Sequence, residues 1–169
     1  AYLIWRILSD PGSRAPSFGY YSSMDLPFPV AFKTGTSKGF RDKWAVGVNS
    51  EYTIGVWLGN PGGENIKEQI IETGNSATIV RDIFLAVQKN WEKGAIKKPD
   101  DIVSLEVCAL SGELPGLCCT ETVTEEFDSN IVPEVLCSYH KIDNGGRVTF
   151  YPEIFKSWAL RNKLESNLQ

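Results

Sequence analysis

The sequence predicts an α/β fold of the α+β type: a partial antiparallel sheet with packed helices, followed by a small β-rich module. Three observations predict it. Runs 30–37 (VAFKTGTS), 44–49 (WAVGVN) and 52–59 (YTIGVWLG) are rich in Val, Ile, Thr and aromatics, and only two residues separate the last two, a hairpin-sized link. A segment of helical spacing follows at 77–91. Beyond it the chain changes character. Cys108, Cys118, Cys119, Cys137 and the single His140 lie within 33 residues of one another, while residues 1–107 contain no cysteine.

Taken in order, Leu3 to Leu8 (LIWRIL) is apolar on too many sides for a surface helix, and Ser9-Asp10-Pro11-Gly12 stops it. From there to Pro29 the expectation is a loop packed by its aromatics. After the three strands, Ala77 to Trp91 carries apolar residues at 79, 80, 83, 84, 87 and 91, with Asn75 or Ser76 as cap and Gly94 as a C-terminal stop. Short strands are expected at Ile102–Leu110, Thr120–Phe127 and Arg147–Tyr151. Pro152 to Asn167 reads as a closing helix with Pro in its first turn, on which Ile154, Phe155, Trp158 and Leu160 form one packed face. The expected organisation is a first domain at 1–93, a linker at 94–101, a Cys-rich β module at 102–151 and a C-terminal helix at 152–169.

The chain has 169 residues with 17 basic and 21 acidic side chains, a net charge of −4, and is 42% hydrophobic, which is a globular rather than a disordered composition. A mild acidic excess gives no reason to expect nucleic acid as a partner. No apolar run approaches the roughly 18 to 20 residues of a membrane span, and no secretory signal is present. Because the first residues read as the end of a helix, a piece of a longer polypeptide is expected, with an N-terminal part still to come.

Chemistry is concentrated at Lys33-Thr34-Gly35-Thr36, inside the first expected strand. Alternation along a strand puts Lys33 and Gly35 on one face, so Lys33 offers a fixed cation that attracts a carboxylate. Gly35 lacks Cβ and lets a ligand or a facing helix approach the backbone. Thr34 and Thr36 add hydroxyls, and a free strand edge can pair with an extended peptide. A phosphate loop is a poorer reading, because the Lys precedes the Gly.

The flanks add a resemblance. Residues 31–47 (AFKTGTSKGFRDKWAVG), continued by Tyr52-Thr53-Ile54-Gly55-Val56-Trp57-Leu58-Gly59-Asn60, resemble the third-motif region of penicillin-binding transpeptidase domains, and the G-F-R-D-x-W-A-V-G stretch is most like class A penicillin-binding proteins of the 1C type. Residues 107–118 (VCALSGELPGLC) with Cys137-Ser138-Tyr139-His140 look like the Cys-rich segment that follows it in that family. The resemblance implies the C-terminal part of a peptidoglycan D,D-transpeptidase, which cross-links stem peptides through a serine acyl-enzyme and is acylated by β-lactams. It implies a parent that carries a glycosyltransferase domain and a membrane anchor upstream and works at the periplasmic, extracytoplasmic face of the membrane. Its partners are peptidoglycan stem peptides and β-lactams, and its transpeptidase chemistry requires no cofactor.

On that resemblance Lys33, Thr34, Gly35 and Thr36 form the substrate-binding strand, Lys33 as electrostatic partner and Thr36 as contact for a ligand carboxylate, while Arg41 and Trp44 are loop and packing residues. The family's nucleophile comes from S-x-x-K and a second group from S-x-N, both ahead of K-T-G. Here S-x-N is absent and the one S-x-x-K, Ser138-Tyr139-His140-Lys141, follows K-T-G and runs into Asp143-Asn144-Gly145-Gly146. The 169 residues are therefore expected to be catalytically inactive. Two other functions stay open: a non-catalytic cell-wall or partner-binding module, and a β-lactam sensor or penicilloyl serine hydrolase.

The cysteines have three readings. In an exported protein Cys108, Cys118, Cys119 and Cys137 are disulfide candidates with three possible pairings, adjacent Cys118 and Cys119 taking different partners, and this is the preferred expectation. Cys137-x-x-His140 with Cys108 and Cys118 (or Cys119) is instead a closed tetrahedral zinc set. Buried free thiols beside a surface His complete the list.

Overall fold

The computed structural model describes residues 1–66, 75–162 and 164, which fall into two units, Ala1–Lys98 and Pro99–Gln169.

In the first unit the N-terminal stretch forms two helices, α1 (Tyr2–Ser9) and α2 (Pro11–Phe18). The second replaces part of the expected loop. Asp10 ends α1 and caps α2, its carboxylate accepting from the Gly12 and Ser13 amides, both at 3.1 Å, with Pro11 at the first helical position. Arg14 of α2 is buried and donates to the Leu8 carbonyl at 2.7 Å and to the Asp25 carboxylate at 3.3 Å. On α1 only Trp5 is buried, its indole N–H donating to the Val48 carbonyl at 3.1 Å, while Ile4 and Ile7 are exposed.

Strands β1 (Ala31–Thr36), β2 (Asp42–Val48) and β3 (Thr53–Gly59) form an antiparallel sheet in that order. The register pairs Phe32 with Gly47 and Gly35 with Trp44 across β1 and β2, and Trp44 with Trp57 across β2 and β3. The β2–β3 turn is an Asx turn: the Asn49 side-chain oxygen accepts from the Glu51 amide at 2.9 Å and the Tyr52 amide at 2.7 Å.

Helix α3 (Ser76–Val87) lies on one face of this sheet, capped by the Asn75 side chain, which accepts from the Thr78 amide at 2.8 Å. Ala77, Val80 and Phe84 of α3 close a core with Met24, Phe28, Val30, Phe32 and Ala45. The helix ends at Val87 rather than Trp91, because Gln88 is committed elsewhere. Its buried side chain accepts from Asn49 at 3.0 Å and donates to the Asn90 carbonyl at 2.8 Å. Gly94 is therefore no helix stop; its carbonyl accepts from the Ser50 amide at 3.0 Å.

The second unit is built from two hairpins. Strands β4 (Ile102–Cys108) and β5 (Thr122–Asp128) pair antiparallel, as do β6 (His140–Asp143) and β7 (Gly146–Thr149). Asn144 and Gly145, both at positive φ (48° and 81°), make the two-residue β6–β7 turn. Segment 135–138 is tied to 113–114: the Cys137 amide donates to the Leu114 carbonyl at 2.7 Å and the Leu114 amide to the Val135 carbonyl at 2.9 Å.

Helix α4 (Glu153–Arg161) closes the described part, with Pro152 as its N-cap residue. The rest of the expected closing helix, beyond Asn162, lies outside the described residues except for Leu164. Its anticipated packed face is a correction. Ile154 is 80% exposed, Phe155, Trp158 and Leu160 are also exposed, and the fully buried residue is Ala159. Phe155 and Trp158 instead line an open apolar hollow with Leu110, Tyr139 and Tyr151. Among the described residues no helix is long and apolar enough to cross a membrane.

Candidate functional site

Lys33, Thr34, Gly35 and Thr36 all lie in β1, which pairs only with β2 among the described strands and so presents a free edge. A groove of about 310 Å³ is lined by Thr34, Gly35 and Thr36 of this strand, by Lys43 and Trp44 of β2, by Phe18 and residues 22–24, and by residues at the start of α3. Lys33 is exposed but does not line it; its ammonium donates to the Thr34 carbonyl. The groove thus takes three of the four expected residues directly. It also takes Trp44, which the sequence reading assigned to packing and which is 50% exposed here. The cross-strand pairing of Trp44 with Gly35 is the signal that finds it, since a large ring opposite a glycine must lie beside open backbone.

Gly35 has little pressing on it. A Cβ built there would meet only the Trp44 Cβ, at 4.0 Å. Close helix approach occurs instead at Gly47, where a Cβ would fall 2.5 Å from the Phe84 ring and 2.8 Å from the Val80 side chain. The close approach of a facing helix foreseen at Gly35 occurs at Gly47 instead.

The turn that aims β1 is held by Asp42. Its carboxylate accepts from the Ser37 hydroxyl at 2.9 Å and from the Trp57 indole N–H at 3.0 Å, while its amide donates to the Ser37 hydroxyl oxygen at 2.9 Å. Gly39 and Phe40 take positive φ between them (77° and 55°). Arg41 donates to the Lys38 carbonyl at 3.4 Å.

In the second unit the cysteines converge. All four stand as free thiols. The donor atoms of Cys108, Cys119, Cys137 and His140 lie within 4.8 Å of one another, a group that could hold a metal ion. Cys118, placed in the candidate zinc set on sequence grounds, is outside it; the neighbour Cys119 takes its place. Nothing in the run Leu117-Cys118-Cys119 selects between them. What does is the turn ahead, where the Gly116 amide donates to the Cys119 sulfur at 3.3 Å.

Cys108 ends β4 and is buried. Burial pushes its thiol up, but the Ser111 and Leu110 amides, the Ser111 hydroxyl and the Cys137 side chain outweigh it and bring Cys108 down to about 6. Cys119 moves the other way: burial, reinforced by the neighbouring Cys137 and Cys108 sulfurs, pushes it up to about 11 against the Gly116 amide.

Ser138 of the lone S-x-x-K precedes β6, and its amide and hydroxyl donate to the Glu113 carboxylate at 2.7 and 3.1 Å. It stands at a strand entry with its hydroxyl engaged, not at a helix start.

No family model matches the chain. Among curated proteins it is 31% identical to penicillin-binding protein 1C of Escherichia coli over 156 residues, which is 87% of this chain and 19% of that protein. It is 30% identical to penicillin-binding protein 1A of Clostridium tetani, over 83% of this chain and 18% of that protein. The chain thus spans about a fifth of the length of these relatives. A crystal structure of penicillin-binding protein 1A from Haemophilus influenzae aligns with 64% of the chain and 16% of its own, at 17% identity and a TM-score of 0.49. Because the 1C and 1A matches each run through most of the sequence, the chain belongs to the class A penicillin-binding proteins.

Proposed function

We propose that the chain supplies the K-T-G strand of a peptidoglycan D,D-transpeptidase, its first unit being the closing part of the penicillin-binding domain. One observation carries this reading: Thr34, Gly35 and Thr36 line a groove, on a strand whose other edge is unpaired among the described strands. An extended stem peptide can add to that edge by backbone hydrogen bonds, with Gly35 letting it come close. The Thr36 hydroxyl serves the carboxylate of the peptide or of a β-lactam, and Lys33, on the same strand though outside the groove lining, supplies positive charge to the site. Trp44 and Lys43 form the far wall of the groove.

The serine nucleophile, its base and the S-x-N group come from sequence outside these 169 residues, together with a glycosyltransferase domain and an anchor that holds the enzyme at the extracytoplasmic face of the membrane. Acyl transfer of this kind requires no cofactor. By itself the 169-residue chain should form no denaturation-resistant adduct with a fluorescent penicillin; a stable label, above all one on Ser138, would contradict this reading.

The deciding experiment uses the longer protein. There Lys33→Ala should slow acylation by a β-lactam about 10²- to 10³-fold, the loss commonly seen when one preorganised electrostatic contact is removed. Lys33→Arg should recover only part, since a planar fork does not sit where a compact ammonium did. Unchanged acylation in Lys33→Ala would remove K-T-G from the mechanism.

A further inference from the structure

We propose that Cys108, Cys119, Cys137 and His140 bind one Zn²⁺, and that this ion is what holds the second unit folded.

The two sulfur–nitrogen edges that can be measured match those of a tetrahedral zinc site. The Cys108 and Cys137 sulfurs each lie 3.4 Å from His140 Nδ1, and all four donor atoms lie within 4.8 Å of one another. Zinc bound by sulfur at about 2.3 Å and by imidazole at about 2.0 Å has S···N edges of roughly 3.5 Å and S···S edges of roughly 3.8 Å. Bonded sulfurs would stand about 2.05 Å apart, and a disulfide gives the imidazole no place in the cluster. Nδ1 is the nitrogen turned to the sulfurs, which fixes it as the ligand atom. Three thiolates and one imidazole fill the coordination shell and leave no position for water, the mark of a structural site. Sulfur donors also set aside magnesium and calcium, which take oxygen.

The fold delivers the four donors from two separate pieces of chain. Cys108 ends β4 and Cys119 lies in the loop towards β5; Cys137 lies three residues before His140, which begins β6. Backbone bonds preset the approach: the Cys108 amide donates to the Glu113 carbonyl at 2.8 Å, and the Cys137 amide to the Leu114 carbonyl at 2.7 Å. The Gly116 amide, 3.3 Å from the Cys119 sulfur, is the kind of outer-shell donor that steadies a metal thiolate. On binding, each cysteine still protonated releases its proton to solvent and its sulfur lone pair forms a Zn–S bond; nothing is oxidised or reduced.

The need for an ion follows from the size of the core. Among the described residues of 99–169, the buried apolar side chains are Val107, Cys108 and Ala159 alone. So small an apolar core does not offset the chain entropy of two hairpins and a helix, and modules of this kind are held by disulfides or by metal. Here the thiols are free and clustered, which leaves the metal.

The test uses the whole 169-residue chain, purified with reductant and dialysed against metal-free buffer. Elemental analysis should return one zinc per chain, and after denaturation with chelator all four thiols should react. Replacing zinc by Co²⁺ should give the visible absorption of a tetrahedral thiolate site. Cys119→Ser and His140→Ala should each lose the stoichiometric metal, whereas Cys118→Ser should keep it. That contrast between adjacent cysteines separates a ligand from a merely packed thiol even where one variant folds poorly. The proposal is overturned by paired thiols in the non-reduced protein, by zinc retained in both Cys119→Ser and His140→Ala, or by zinc lost in Cys118→Ser with Cys119 intact.

Discussion

Two glycines twelve residues apart divide the work of the sheet. At Gly47 a methyl group would overlap Phe84 and Val80, both fully buried beneath α3. Gly47→Ala should therefore cost about 1 to 3 kcal/mol by overpacking, more than the few tenths regained by stiffening the unfolded chain. Gly35→Ala meets only the Trp44 Cβ at 4.0 Å, so the fold should be unaffected, while in the longer protein β-lactam acylation should fall because the new methyl occupies the groove. Paired denaturation and acylation measurements on the two variants check both statements. If Gly35→Ala were the destabilising one, the packing assignment would be reversed. Asp42 is the third residue of this set, tying the hairpin tip to the Trp57 indole. The D of the G-F-R-D-x-W stretch is therefore explained by turn geometry, not by contact with a ligand.

Elements follow the same division between what periodicity can and cannot show. The three strands of the first unit stand within two residues of where composition and alternation put them, because β-branched and aromatic runs with a short link have few other uses. Helix α3 was legible in its spacing, but not its end: Gln88 leaves the helix to bond Asn49, a partner 39 residues away that no local pattern reveals. Helix α2 was missed because PGSRAPSF has two prolines and poor propensity; its existence rests on Asp10 and on the buried Arg14. Strand β1 was legible in its composition, whereas Cys119 could not be told from Cys118 without the Gly116 turn.

Asp10 gives this scale its prediction. Its carboxyl is held below its ordinary value, first by the Ser13 hydroxyl and then by the Gly12 and Ser13 amides, with burial opposing. A lowered folded-state value means the cap contributes in full above the ordinary carboxylate range and is lost as pH falls through the lowered one. Asp10→Ala should destabilise by about 1 kcal/mol at neutral pH, an N-cap loss, and by progressively less below pH 4. A constant difference down to pH 2 would show that the charge of Asp10 contributes nothing beyond the cap its neutral carboxyl makes.

At the scale of the molecule, two units rest on different physics. The first buries an eight-residue apolar cluster that includes Phe32, Val80 and Phe84. The second buries little, and its longest-range backbone ties, Cys137 to Leu114 and Leu114 to Val135, sit within a few residues of the cysteines. If zinc closes that cluster, its binding free energy is folding free energy for the second unit and irrelevant to the first. Hydrogen exchange on the 169-residue chain, with and without chelator, should then split along the sequence. Amides of β1 to β3 and α3 should keep their protection, because nothing in their core contacts the ion. Amides of Cys108, Leu114 and Cys137 should lose theirs, falling from rates set by cooperative opening to rates near those of an unfolded chain. Equal loss in both units would mean one cooperative core rather than two, and no loss in either would mean that Val107, Cys108 and Ala159 suffice to hold the second unit without a metal.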